Sequence, residues 1–131
     1  MAEYRFTQQE RAELKEMAHN FARRTRQATE RKAGKIEQRQ ADAFAQIERL
    51  VRQFRAVDPG IRTIILFGSL AVGTPTSSVF DIDLAVDSDR YWELLGIVLD
   101  QLIPVDLVDL PRASVHIRSR ILAEGRVLYK P

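Results

Sequence analysis

Apolar residues recur along this chain with two different rhythms, helical in the first half and strand-like in the second. Leu14, Met17 and Phe21 fall at helical spacing behind Thr7-Gln8-Gln9-Glu10. That tetrapeptide matches a capping box, with Thr7 as N-cap and Glu10 three residues on. The segment from Ala22 to Gln40 is almost entirely polar and contains Gly34. The helical rhythm returns at Ile36, Ala43, Ile47, Leu50 and Phe54, with Phe44 and Val51 broadening the stripe. Asp58-Pro59-Gly60 then supplies turn chemistry. Two readings stay open: one long helix running to Val57, or a hairpin of two helices bent near Gly34. The second half must bury its stripe against a sheet or a partner chain, while the first has too narrow an apolar face to fold alone.

Beyond the turn the pattern changes. Arg62 to Phe67 reads as a buried strand closed by glycine, and Ser69 to Val72 as a short helix cut off by Gly73-Thr74-Pro75. Val79 to Val86 is the predicted second strand. Asp87, Ser88 or Asp89 caps a helix through about Leu102, with Trp92, Leu95 and Leu99 on its inner face. Val105 to Val108 is the third strand, and Pro111 opens a last helix that carries Val115, Ile117, Ile121 and Leu122 and stops at Gly125. This alternation predicts an α+β fold, a small mixed β-sheet core with packed helices. The predicted division is 1–58, a helical extension for partner or dimer contact, and 59–131, the sheet domain.

Composition narrows the class. The 131 residues support one modest domain with a helical appendage. No cysteine is present, so disulfides and thiolate metal sites are excluded. No apolar run approaches membrane-spanning length, and Met1 to Thr7 lacks the apolar core of a signal peptide. A soluble, cytoplasmic protein is the expectation. The net charge of +2 hides an asymmetry. Met1 to Ala56 holds thirteen Lys/Arg against eight Asp/Glu, a net of +5, and Val57 to Pro131 seven against ten, a net of −3. The basic half suits an acidic protein or a nucleic acid, although its interspersed signs also describe a solvated helix face.

The chemistry concentrates between Ile64 and Val86. One apolar run ends in Gly68-Ser69, and a second carries Asp81-Ile82-Asp83. On a strand, Asp81 and Asp83 project from one face while Ile82, Leu84 and Val86 enter the core. Two carboxylates side by side on an apolar strand repel each other and resist desolvation, and a divalent cation removes both problems. His19 and His116 lie in polar helical surroundings and read as surface residues. The Tyr91-Trp92 pair reads as core and cap packing.

Gly68-Ser69, Gly73, Asp81-x-Asp83 and a third acid, Asp106 within Val105-Asp106-Leu107-Val108, occur in an order that resembles the DNA polymerase beta-like nucleotidyltransferases. The small size points to their minimal nucleotidyltransferase (MNT) branch, and the resemblance covers roughly Ile61 to Tyr129. Ile121-Leu122-Ala123-Glu124-Gly125 with Val127-Leu128-Tyr129 is similar to the family's ending. The resemblance implies that 59–131 is a nucleotidyltransferase-like domain. It implies two Mg2+ ions on Asp81, Asp83 and Asp106, with Asp106 also drawing the proton from the acceptor hydroxyl. It implies ATP or another nucleoside triphosphate as substrate, with Gly68, Ser69 and Gly73 binding the nucleotide. It also implies AMP transfer to a hydroxyl of a small helical partner of the HEPN class, as in toxin–antitoxin modules. An oligomer, homo or hetero, is expected through residues 1–58.

Duller roles compete with these assignments. Gly68 and Gly73 serve equally as turn glycines, Ser69 as a helix cap, and Asp81 as the exposed start of a strand. Asp109 faces away from Asp106 and reads as a helix-start residue. The chain also departs from the family pattern. Leu70, Ala71 and Val72 stand where basic residues are common, and Phe80 stands where serine often precedes the first metal acid. These departures favour an alternative, a catalytically weak or inactive binding or regulatory subunit acting through its N-terminal helices. Nucleic-acid binding through the basic half is the weakest reading, with no aromatic–basic motif behind it.

Overall fold

In the computed structural model, which describes residues 5–73 and 75–131, the first half of the chain is a single α-helix, α1, Gln8–Val57. The one-helix reading therefore holds. The capping box is made at both ends: the Thr7 amide donates to Glu10 Oε2 at 2.8 Å, and the Glu10 amide donates to Thr7 Oγ1 at 3.1 Å. The polar segment stays helical because Arg, Gln, Lys, Glu and Ala are good helix formers, and one Gly34 costs only about 1 kcal/mol. Two compact units divide within this helix, between Lys35 and Ile36. In the first unit Leu14, Met17 and Phe21 are exposed.

The second unit, Ile36–Pro131, contains the rest of α1 and the sheet. Its strands are β1 Thr63–Phe67, β2 Ile82–Asp87, β3 Val105–Asp109 and β4 Arg126–Tyr129, in the order β3-β2-β1-β4. β1 is antiparallel to both β2 and β4, and β2 runs parallel to β3. Between them come α2 Ser69–Val72, α3 Tyr91–Val98, a 3-10 turn at Leu110–Arg112, and α4 Val115–Glu124. This is an α+β fold with a mixed sheet.

The period of two sorts the side chains onto two faces. Ile64 and Leu66 of β1, Ile82, Leu84 and Val86 of β2, and Leu107 of β3 join Ala43, Ile47, Leu50 and Phe54 of α1 and Leu94 and Val98 of α3 in the larger core. Ile65, Ala85, Leu110 and Ile121 form the smaller core on the opposite face, with Phe67 and Val108 beside them. The α1 stripe is buried as its spacing predicts, except for Phe44, which is exposed. No helix among the described residues is long and apolar enough to cross a membrane.

Several predicted details are corrected. β2 starts at Ile82, whose amide opens the ladder to β3 by donating to Pro104 O at 2.9 Å. Asp81 therefore precedes the strand, and Val79 is exposed. α3 is shorter than predicted and turned about its axis: Leu94 and Val98 are its buried residues, whereas Trp92 and Leu99 are 72% and 75% exposed. The Tyr91–Trp92 edge contact, with centroids 5.5 Å apart, thus lies at the surface on its tryptophan side. Pro111 opens only the 3-10 turn. α4 starts after Ser114, whose Oγ accepts from the Ile117 amide at 3.2 Å. Of the four apolar residues predicted on that helix, only Ile121 is buried. β4 is a four-residue edge strand that no predicted element anticipates.

Candidate functional site

The site lies on the smaller-core face, where β1 ends and β2 and β3 begin. Register places Phe67 opposite Asp83, and Asp83 opposite Asp106 on the parallel neighbour. Asp83 and Asp106 therefore share a face. Asp81 stands exposed one residue before β2, and its charge reaches Asp83. Burial first, and then the like charges of Asp106 and Asp81, push the Asp83 carboxyl up to about 6; a hydrogen bond with Asp106 adds to this. Asp87, four residues along the same strand, is a useful contrast. Arg62 reaches it with Nη2 at 2.7 Å, and also meets Asp89 at 3.0 Å. Among the described residues Asp83 has no such cation.

Gly68 is held against this acid. Its φ of 76° and ψ of −156° belong to a region that only glycine enters freely, and a Cβ there would collide with the Asp83 carboxylate. Gly68 and Asp83 are thus in direct contact. Ser69 is exposed at the start of α2, and Gly68 O accepts from the amides of Ala71 and Val72. Gly73 is different: its φ of 160° is extended backbone, and nothing lies within 4 Å of a Cβ built on it. Leu70 is a core residue and Val72 is exposed. Asp109 is removed from the cluster, 3.7 Å from Arg112 Nε; burial first, and then the Asp109 charge, raises the Tyr91 phenol.

Two residues of α1 that sequence reasoning missed fix the starts of the acid-bearing strands. Gln46 is buried, with its Nε2 donating to Ile103 O at 2.8 Å and its Oε1 accepting from the Ile103 amide at 3.1 Å. Arg39 Nη2 donates to Phe80 O at 2.7 Å, and its guanidinium lies 5.0 Å above the Phe80 ring. Phe80 itself packs into the larger core and does not fill the acid cluster. Both polar residues fall in phase with the Ile36–Ala43–Ile47–Leu50 stripe, and that phase was the available signal.

Among the described residues no group of three His, Asp or Glu side chains is already gathered to hold a cation. The donor set nevertheless fits one of the hard kind. Asp83 and Asp106 oppose each other, Asp81 adds charge at the solvent side, and among the described residues no cation pairs with them. Magnesium favours a few carboxylate oxygens completed by water and substrate phosphate.

An open four-stranded mixed sheet with a Gly-Ser bend set against paired strand acids defines a nucleotidyltransferase fold. The profile of the polymerase beta nucleotidyltransferase family matches residues 48–131, and the chain belongs to that family. Its likenesses to solved toxin–antitoxin structures place it with the minimal nucleotidyltransferase branch. It is similar to a solved toxin–antitoxin structure with AMP-PNP, at 33% identity and a TM-score of 0.50, covering 66% of this chain and 73% of that one. It is also similar to a mutant of the MntA–HpeT toxin–antitoxin, at 32% identity and a TM-score of 0.50, covering 66% and 72%. A comparison with curated protein sequences finds no match.

Proposed function

We propose that this chain transfers a nucleoside monophosphate, AMP from ATP, to a hydroxyl of a small helical partner protein of the HEPN class. The observation that carries the reading is the Asp83–Asp106 register pair lying against Gly68. The likeness to toxin–antitoxin structures, one of them with AMP-PNP, supports the partner and the nucleotide. Asp81, Asp83 and Asp106 would hold Mg2+, which when bound supplies positive charge to the reacting phosphate and its leaving group.

The chain's own residues bind and orient. Gly68 leaves its backbone open to the nucleotide, and Ser69 offers a hydroxyl and an amide at the same bend. Gly73 keeps the following turn open. Asp106 accepts the proton of the acceptor hydroxyl as its oxygen bonds to the α-phosphorus; the bond from that phosphorus to the bridging oxygen breaks, and pyrophosphate leaves. Residues 1–58 are the proposed contact with the partner, and the cytoplasm is the proposed compartment.

Label from α-labelled ATP should appear on the partner in the presence of Mg2+ and disappear in Asp81→Asn and Asp83→Asn. Unchanged labelling in those variants ends the catalytic reading. A second reading, a non-catalytic regulatory subunit on the same fold, is favoured by Leu70 and Val72, which put no cation beside the Gly-Ser bend. Calorimetry separates the two: partner binding without any Mg2+-dependent nucleotide binding selects the regulatory subunit.

A further inference from the structure

We propose that Arg120 binds the triphosphate of the nucleotide, supplying the positive charge that Leu70, Ala71 and Val72 do not. The inference rests on the nucleotidyl-transfer reading above and assigns the phosphate contact within that site.

A cavity of about 230 Å³ opens beside the Gly-Ser bend, lined by Phe67, Gly68, Ile117, Arg120, Ile121 and Glu124. Phe67 pairs in register with Asp83, so the cavity adjoins the acid pair along the end of β1. Four of its lining residues, Ile117, Arg120, Ile121 and Glu124, repeat at helical spacing and form one face of α4. Arg120 is the one cation among them.

Other arginines near this end of the fold are engaged elsewhere. Arg118 donates to Pro111 O at 3.4 Å. Arg126 lines a separate groove with Phe44, Val51 and Leu128. Arg39 is tied to Phe80 O. Among the described residues Arg120 has only Glu124, 3.9 Å away, with both side chains more than half exposed. Such a pair contributes little, so exchanging the carboxylate for a phosphate costs little. A guanidinium grips phosphate with two parallel N–H donors, and the apolar walls at Phe67, Ile117 and Ile121 reduce the competition from water. Glu124 opposes the anion in the same cavity, which predicts that its removal tightens binding.

The test compares AMP with the non-hydrolysable triphosphate AMP-PNP, each titrated calorimetrically into the full chain with Mg2+. Arg120→Ala should weaken AMP-PNP roughly tenfold or more and leave AMP within about twofold, because the lost contact is to phosphates that AMP lacks. Arg120→Lys should recover part of the loss, and Glu124→Gln should tighten AMP-PNP. An equal loss for both nucleotides overturns the assignment. So does wild-type affinity in Arg120→Ala while Gly68→Val abolishes AMP-PNP binding, a result that leaves the nucleotide site standing and removes only Arg120 from it. A wild-type chain that does not bind AMP-PNP at all overturns both readings.

Discussion

Asp83 and Asp106 face each other across a parallel strand pair with no cation between them among the described residues, and the burial of Asp83 holds its carboxyl at about 6. This raised value makes the metal-free chain sensitive to pH. The folded Asp83 binds a proton more tightly than the unfolded one, whose ordinary value is 3.8. Its contribution to stability is therefore present below about pH 4 and lost as pH rises through about 6. Asp83 is only partly buried, so solvent screening limits the effect to the order of 1 kcal/mol. Melting scans in chelator should show stability falling across that window, with Asp83→Asn flattening it. Added Mg2+ should raise the melting temperature more at pH 7.5 than at pH 5, and an equal rise at both would remove Asp83 from the ion's ligands.

The two glycines of the motif should respond differently to alanine. At Gly68 the backbone conformation costs about 1–3 kcal/mol for any other residue, and the new methyl must displace the Asp83 carboxylate. Gly68→Ala should lower the melting temperature and weaken Mg2+-dependent nucleotide binding together. Gly73→Ala should be close to neutral for stability, since its backbone is extended and its surroundings are open. Equal destabilisation by the two substitutions would contradict the geometry at Gly68.

Trp92 is the single tryptophan, and its ring is largely in water. Intrinsic fluorescence should therefore emit at the red, water-exposed end of the range and be quenched freely by acrylamide. A blue-shifted, protected emission would restore the inward-facing Trp92 that helical periodicity suggested.

The sequence made the acid pair legible because strand alternation leaves no freedom. Once Asp83 lies between core residues Ile82 and Leu84, its face is fixed, and the same holds for Asp106 beside Leu107. The face of α3 was less legible. Tyr91-Trp92-Glu93-Leu94-Leu95 offers two apolar stripes only about 100° apart, and packing chose Leu94 and Val98. β4 escaped notice because its four residues lie at an edge and are only partly covered. Arg39 and Gln46 escaped because polar residues on a helix are read as solvated. Their phase with the stripe signals burial but not the partner, a backbone group more than forty residues away.

Those two α1 side chains hold the segments that lead into the acids. Gln46 satisfies both the amide and the carbonyl of Ile103, three residues before Asp106. Arg39 caps the carbonyl of Phe80, one residue before Asp81. Gln46→Leu keeps the apolar contact but strands two buried backbone groups, a loss of roughly 2–6 kcal/mol at about 1–3 per orphaned group. Arg39→Met keeps the packing over Phe80 and frees only the Phe80–Asp81 segment, so it should cost less in stability. If α1 positions the acids, Arg39→Met should still lower AMP transfer at temperatures well below its melting point, with Arg39→Lys intermediate. Transfer that follows the folded fraction alone in both variants would reduce α1 to a packing element with no part in placing Asp81.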